Sequence, residues 1–290
     1  MSRRFAYRTL DVFTDRRFGG NQLAVFPEAR GLSDAEMQAL AAEFNFSETT
    51  FVLPPSDPAN TARVRIFNRV AEMAFAGHPS VGTAYVLAGQ DRPAALRFEV
   101  PAGIVAIDIA PGRITIAAPQ PLMVGESVPV ALIAAAAGIP AAGIVTARHP
   151  PTVAADGGAP RILVEVTPAA LAAATPDIAA FRALRDATPA LGGRCSLYVY
   201  VPEGEGLRAR MFSPLTGTWE DPATGSAATP LAGFLLHLSG GERGAWTIRQ
   251  GVEMGRPSTL YAAARRGADG IRASVGGQCV PVFAGSVTLD

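Results

Sequence analysis

The chain has 290 residues, enough for two domains of similar size and short for three. Its 25 basic residues balance 25 acidic ones, so no overall field draws it to phosphate backbones or anionic membranes, and nucleic acid is not an expected partner. The opening MSRRFAYRTLDVF lacks the apolar core and cleavage site of a secretory signal, so a cytoplasmic location is expected.

In chain order, apolar and polar residues alternate through Tyr7, Thr9, Asp11 and Phe13, turn at Gly19-Gly20-Asn21, and resume at Leu23 to Phe26. This predicts a strand, a turn and a second strand. Ser33 and Glu36 form a capping box, and Met37, Leu40, Ala41 and Phe44 recur at helical spacing, so a helix is expected over 34–44. Period-two alternation from Phe46 to Val52 predicts a short strand, with Glu48 on the face of Phe46 and Val52. Arg63 to Phe67 reads as another strand. Gly77-His78-Pro79 opens an apolar helix that ends near Gly89, and strands follow to Ala117.

The uncharged stretch from Val128 to Ala147 approaches membrane-spanning length. Gly138 and Pro140 interrupt it, however, so a short buried helix near 129–137 is expected and no membrane span. Strands near 161–166 and 197–201 and helical stretches near 168–174 and 177–186 then repeat the order of the first half. A shift of 148 positions aligns Glu72 with Glu220, Gly77 with Gly225 and His78 with Ser226, and a three-residue gap brings Phe67 onto Phe212. The expected fold is α+β: two pseudo-symmetric domains, 1–119 and 120–290, each a mostly antiparallel curved sheet around a central hydrophobic helix. The strand at 280–289 is free to return to the first. Two such halves would leave a cleft where the helix starts converge.

Three groups in this pattern carry chemistry. Glu48, on an apolar strand face, loses solvation, which suits a carboxyl to taking and returning protons; as a strand-edge residue it would simply face water. His78 stands at a helix start, where free backbone N–H groups favour a bound carboxylate, although a lone histidine is often only packed. The run from Glu220 to Ala227 gathers an acid, a hydroxyl and a glycine at the second helix start, and it also reads as a capped helix after a turn. Neither His149 nor His237 has such a context.

The segments LDVFTDRRFGGNQLAVF, NFSETTFVL, FAGHPSVGTAYVL, RMFSPLTGTWEDPATGSAA and RQGVEMGRPS, in this order, resemble the PhzF-like family of phenazine biosynthesis isomerases, which share the diaminopimelate-epimerase type of fold. The resemblance implies a cofactor-free enzyme, usually a homodimer, that moves a proton on a small carboxylate substrate. It makes Glu48 the main acid/base, with His78 and Asp221 holding polar groups and assisting proton transfer. Ser226 would line the cleft, the amides of Gly77 and Gly225 would bind the substrate carboxylate, and Asn21 and Gln250 would make further contacts. Pro230 departs from the pattern and could shift the start of the second central helix by a turn. Ser80 and Gln22 stand where threonine and proline are common.

Several rivals remain in view. A two-thiol amino-acid racemase needs a cysteine at each helix start, but Cys195 and Cys279 lie elsewhere, and neither belongs to a CxxC or Cys/His metal cluster. A serine hydrolase lacks a GxSxG elbow, and no GxGxxG or GxxxxGK[ST] supports a nucleotide enzyme. A silent small-molecule binding protein of the same fold stays open.

Overall fold

The computed structural model describes residues 2–89 and 93–290. It divides into two compact units, Met1–Pro119 with Gly276–Asp290, and Gln120–Val275.

The first unit comprises β1 (Arg3–Val12), β2 (Asn21–Phe26), α1 (Asp34–Phe44), β3 (Glu48–Leu53), β4 (Ala62–Phe67), β5 (Glu72–Met73), α2 (Gly77–Ala88), β6 (Ala95–Val100), β7 (Gly103–Ala110) and β8 (Arg113–Ala117), with the C-terminal strand Cys279–Leu289. The ladders are antiparallel except for β2 beside β3 and β4 beside β6. The C-terminal strand runs antiparallel along the whole of β1, from Arg3 opposite Leu289 to Val12 opposite Cys279. The capping box forms as the sequence dictates: Ser33 Oγ accepts from the Glu36 N–H, and the Glu36 carboxylate accepts from the Ser33 N–H.

Helix α2 is buried through its first eight residues, Gly77 to Ala84. A Cβ at Gly82 would stand 2.5 Å from Leu23 and 2.8 Å from Val12, so glycine is what lets the helix lie this close to β1 and β2. Successive residues of β3 point to opposite faces. Thr50 Oγ1 meets Thr83 Oγ1 of α2 at 2.8 Å, while Phe51 stacks on Phe26 with ring centroids 5.0 Å apart, in the core that α1 covers. Glu48, two residues before Thr50, therefore shares the α2 face. The strand starts at Glu48, not at Phe46 as alternation predicts. Asn45 ends α1 in the left-handed conformation (φ 53°), and Phe46 packs on Phe44, 5.8 Å away, before the strand begins.

The second unit comprises β9 (Met123–Ser127), α3 (Val130–Ala137), β10 (Thr152–Ala155), β11 (Arg161–Glu165), α4 (Pro168–Ala173), α5 (Ile178–Ala187), β12 (Leu197–Glu203), β13 (Gly206–Ser213), β14 (Thr218–Asp221), α6 (Gly225–Ser239), β15 (Arg243–Gln250) and β16 (Ser258–Gly267). Parallel pairs recur between β11 and β12 and between β13 and β15 within otherwise antiparallel ladders. Helix α3 ends at Gly138, left-handed at φ 64°, and among the described residues no helix is long and apolar enough to cross a membrane.

Helix α6 starts at Gly225 and contains Pro230, so the shift of its start does not occur. The missing N–H leaves only the Ser226 carbonyl outside the helical ladder, and the proline ring's fixed φ is itself helical. Eleven of its fifteen residues are buried.

The strand registers make the internal repeat explicit. Thr49 lies opposite Phe67, which lies opposite Glu72; Leu197 lies opposite Phe212, which lies opposite Glu220. Each copy adds an arginine that the sequence reading missed. Arg65 forks onto Glu72 and lies over the Phe67 ring at 5.1 Å; Arg210 forks onto Glu220 and lies over Phe212 at 4.9 Å.

One loop glycine is sharply constrained. Gly251 has φ +71°, and a Cβ there would lie 2.5 Å from the Arg256 carbonyl oxygen and 2.6 Å from that of Pro222. Gly251→Ala is expected to lower the unfolding free energy by roughly 2–4 kcal/mol, because left-handed strain adds to a backbone clash that cannot relax cheaply. An unchanged urea midpoint would refute this.

Candidate active site

In the first unit the entry to β3 and the first turn of α2 bring Glu48 and His78 together. His78 Nε2 stands 3.3 Å from Glu48 Oε2, with the imidazole 5 % exposed and the carboxyl 15 %. On its other side His78 Nδ1 is 3.3 Å from Asn21 Nδ2, and Asn21 Oδ1 accepts from Ser47 Oγ at 2.9 Å. Burial pushes the His78 pKa down to about 3, against a smaller opposing effect of the Gln22 main chain, so the ring is neutral near pH 7. A neutral imidazole beside a carboxyl can orient that group without competing with it for a proton. Asn21 is itself buried and acts as a brace for the ring. Gly77 is the first residue of α2, and the preceding Ala76 has no side chain able to cap that turn.

In the second unit Asp221 closes β14, and its Oδ2 accepts from Thr224 Oγ1. Gln250, wholly buried, donates to the Asp221 carbonyl oxygen (2.7 Å) and Thr224 Oγ1 (3.0 Å), and its Oε1 accepts from the Thr224 N–H and the Tyr198 hydroxyl. It shapes the turn that leads into α6. Thr224, the N-cap, spends its hydroxyl on Asp221 and leaves the first turn at Gly225 without a side-chain cap. Ser226 Oγ accepts from Arg161 Nη2 at 3.1 Å, and Arg161 Nη1 reaches Ser196 Oγ at 3.5 Å.

Arg161 and the buried Asp156, one at each end of the β10–β11 connection, were not singled out by sequence reasoning; the Asp156-Gly157-Gly158 turn was the one signal available. Burial pushes the Asp156 carboxyl up to about 6, with the Thr229 hydroxyl and the Arg161 charge opposing it. His149 is a packed ring between the Pro150 carbonyl oxygen and the Tyr200 hydroxyl. The Cys195 thiol is pushed up to about 12 and Cys279 is also raised, both by burial, so neither is disposed to act as a thiolate. Among the described residues no group of three or more His, Cys, Asp or Glu side chains could hold a metal ion.

His78 and Asp156 pull stability in opposite directions with pH. Between about pH 6.5 and 3 the unfolded chain binds a proton at His78 that the folded chain refuses, so stability falls as pH falls, by up to roughly 1.4 kcal/mol per unit. Between about 3.8 and 6 the folded chain keeps a proton on Asp156 that the unfolded chain has lost, so stability falls as pH rises. The two slopes oppose each other in that window. Urea midpoints at pH 4, 5 and 6 should therefore show a steeper acid loss in Asp156→Asn and a shallower one in His78→Gln. Identical profiles for all three proteins would refute the assignment.

Residues 10–285 match the family model PhzC-PhzF, described as phenazine biosynthesis-like protein. A trans-2,3-dihydro-3-hydroxyanthranilate isomerase from Pseudomonas aeruginosa is 38 % identical, the alignment covering 89 % of this chain and 90 % of that protein. The solved structure of a predicted epimerase from the same organism superposes with a TM-score of 0.81 at 31 % identity, covering 98 % of this chain and 99 % of the other. A PhzF-family protein from Bacillus anthracis shares the fold, with a TM-score of 0.88 at 22 % identity over 98 % and 99 % of the two chains.

Proposed function

The chain belongs to the phenazine biosynthesis-like PhzC-PhzF family, and from that premise we propose that it is, like its named relatives, an isomerase. It relocates a proton on a small, ring-type carboxylate without a cofactor, in the manner of trans-2,3-dihydro-3-hydroxyanthranilate isomerisation. The observation that carries this reading is the 3.3 Å pairing of Glu48 with His78 at the start of α2.

Glu48 takes a proton from a C–H bond conjugated to the substrate's carboxylate, the electron pair delocalises into that system, and Glu48, after exchanging its proton with water, delivers one proton to another carbon. Composition and oxidation state do not change. The neutral His78 holds a polar group of the substrate and assists the transfer by orienting Glu48, Asn21 fixes the ring, and the uncapped amides at Gly77 supply donors to developing negative charge. Asp221, Gly225 and Ser226 bind polar groups of the substrate, with Gln250 holding their turn in shape. A cytoplasmic homodimer belongs to the same proposal.

The reading against which this must hold is an amino-acid racemase of the same fold. The elevated Cys195 and Cys279 thiols speak against a two-thiol version. The test is incubation in deuterated water with trans-2,3-dihydro-3-hydroxyanthranilate and, separately, with proline and hydroxyproline, followed by proton NMR. Isomerisation of the dihydro acid with deuterium at the newly protonated carbon is expected. Inversion of an amino acid with no change in the dihydro acid would replace this reading with the racemase.

A further inference from the structure

Four side chains around the start of α2 form a closed circuit within the first unit. Ser47 Oγ donates to Asn21 Oδ1 at 2.9 Å, Asn21 Nδ2 stands 3.3 Å from His78 Nδ1, and His78 Nε2 stands 3.3 Å from Glu48 Oε2. The circuit closes through the chain itself, because Ser47 and Glu48 share a peptide bond. Ser47 sits in the bend that leads into β3, Asn21 opens β2 and His78 is the second residue of α2, so three elements are tied at one point.

The order of donors around this circuit decides which ring nitrogen of His78 carries the proton. An amide nitrogen only donates and an amide oxygen only accepts. The Ser47 hydroxyl, donating to Asn21 Oδ1, turns the amide so that Nδ2 faces the ring, and Nδ1 is then the bare nitrogen. The imidazole is neutral near pH 7, so its one proton lies on Nε2, the side that faces Glu48. Nδ2 carries two hydrogens, so a further contact of Asn21 does not change which ring nitrogen it faces. The plain alternative puts the proton on Nδ1, either with the amide reversed or with Nδ1 donating to the Gln22 main chain, the acceptor that opposes the effect of burial on the ring. Both would turn a bare Nε2 toward the carboxylate that has to take the substrate's proton, lone pair against lone pair, and the second would also set two N–H donors against each other at 3.3 Å.

We propose that Ser47 is a positioning residue: through Asn21 it holds His78 as the Nε2–H tautomer, so that the ring presents a donor to Glu48 and to the substrate. His78 then never competes with Glu48 for the migrating proton. Alanine at position 47 would loosen the orientation of the Asn21 amide and with it the choice of tautomer. The inference rests on the proposed function for what the tautomer serves, whereas the tautomer itself is read without any substrate.

The test is long-range proton–nitrogen NMR of the protein carrying isotope-labelled histidine, in which protonated and bare ring nitrogens resonate far apart; the His78 signals are those missing from His78→Gln. The wild type is expected to show a protonated Nε2 and a bare Nδ1. Ser47→Ala should bring in the other tautomer and lower kcat on trans-2,3-dihydro-3-hydroxyanthranilate by roughly three- to ten-fold, the worth of one neutral hydrogen bond, with KM nearly unchanged. Ser47→Thr, which keeps a hydroxyl, should restore both. A protonated Nδ1 in the wild type, a Ser47→Ala protein with the tautomer of the parent, or a Ser47→Ala kcat equal to that of an active parent would each overturn the role. A wild type in which Ser47 governs the tautomer and yet the dihydro acid is left unchanged would overturn the isomerase reading, with the hold on the ring standing.

Discussion

Replacing Glu48 by glutamine is expected to lower turnover by about 10²- to 10⁴-fold while leaving substrate affinity and thermal stability close to those of the parent. Glutamine keeps the shape and the hydrogen-bonding reach of the side chain but cannot accept a proton from carbon and give it back. The neighbouring His78 cannot take over the task readily, because burial holds its pKa at about 3 and makes the ring a weak base on its own. The loss should therefore appear in kcat, with KM nearly unchanged, since glutamine preserves the shape and hydrogen-bonding reach of the side chain and only the proton transfer is lost. Deuterium incorporation at the migrating position should disappear in parallel. A variant within ten-fold of the parent would show that the proton travels by another group.

The second large effect concerns stability. Arg210 and Glu220 form a two-pronged pair with side chains only 8 % and 10 % exposed, and Arg210 Nη1 also donates to the Leu171 carbonyl oxygen at 2.8 Å. Arg210→Met leaves the Glu220 carboxylate buried without its countercharge, so a loss of roughly 3–5 kcal/mol in unfolding free energy is expected. The matching pair in the first unit is 20 % and 32 % exposed, so water screens it, and Arg65→Met should cost about 1 kcal/mol. Removing both partners, as Arg210→Met with Glu220→Leu, should recover most of the loss, since two apolar groups need no countercharge. Urea denaturation of the four proteins checks the series. Equal losses for the two single arginine variants would mean that exposure does not govern these pairs.

Local features are legible in the sequence where they depend on a few neighbouring residues. The Ser33–Glu36 capping box placed α1 at 34–44, and Gly138 stopped α3, because caps and left-handed glycines act over one turn. The glycine-led starts of α2 and α6 were legible for the same reason. Strand entry was not: alternation suggested Phe46, but Asn45 in the left-handed region holds Phe46 against Phe44. Pro230 misled in the opposite sense, since a proline early in a helix removes one bond without ending it. The repeat is visible through Glu72 and Glu220, whereas the meaning of Arg65 and Arg210 lies in a cross-strand pairing that linear spacing does not display. Arg161 was hidden more completely, for it becomes informative only when the parallel register sets it beside Ser196.

The pairing of the C-terminal strand with β1 has a consequence for biosynthesis. The second unit is continuous from Gln120 to Val275, so everything it needs has left the ribosome before the first unit is whole. The first unit, although it begins at the N-terminus, lacks one edge until Cys279–Leu289 arrives to lie along Arg3–Val12. The order of maturation thus runs against the order of synthesis, and during the delay β1 presents an open edge able to pair with another nascent chain. Deleting Cys279–Leu289 would accordingly damage the unit whose other strands are made first, and would leave Gln120–Val275 with all of its own residues.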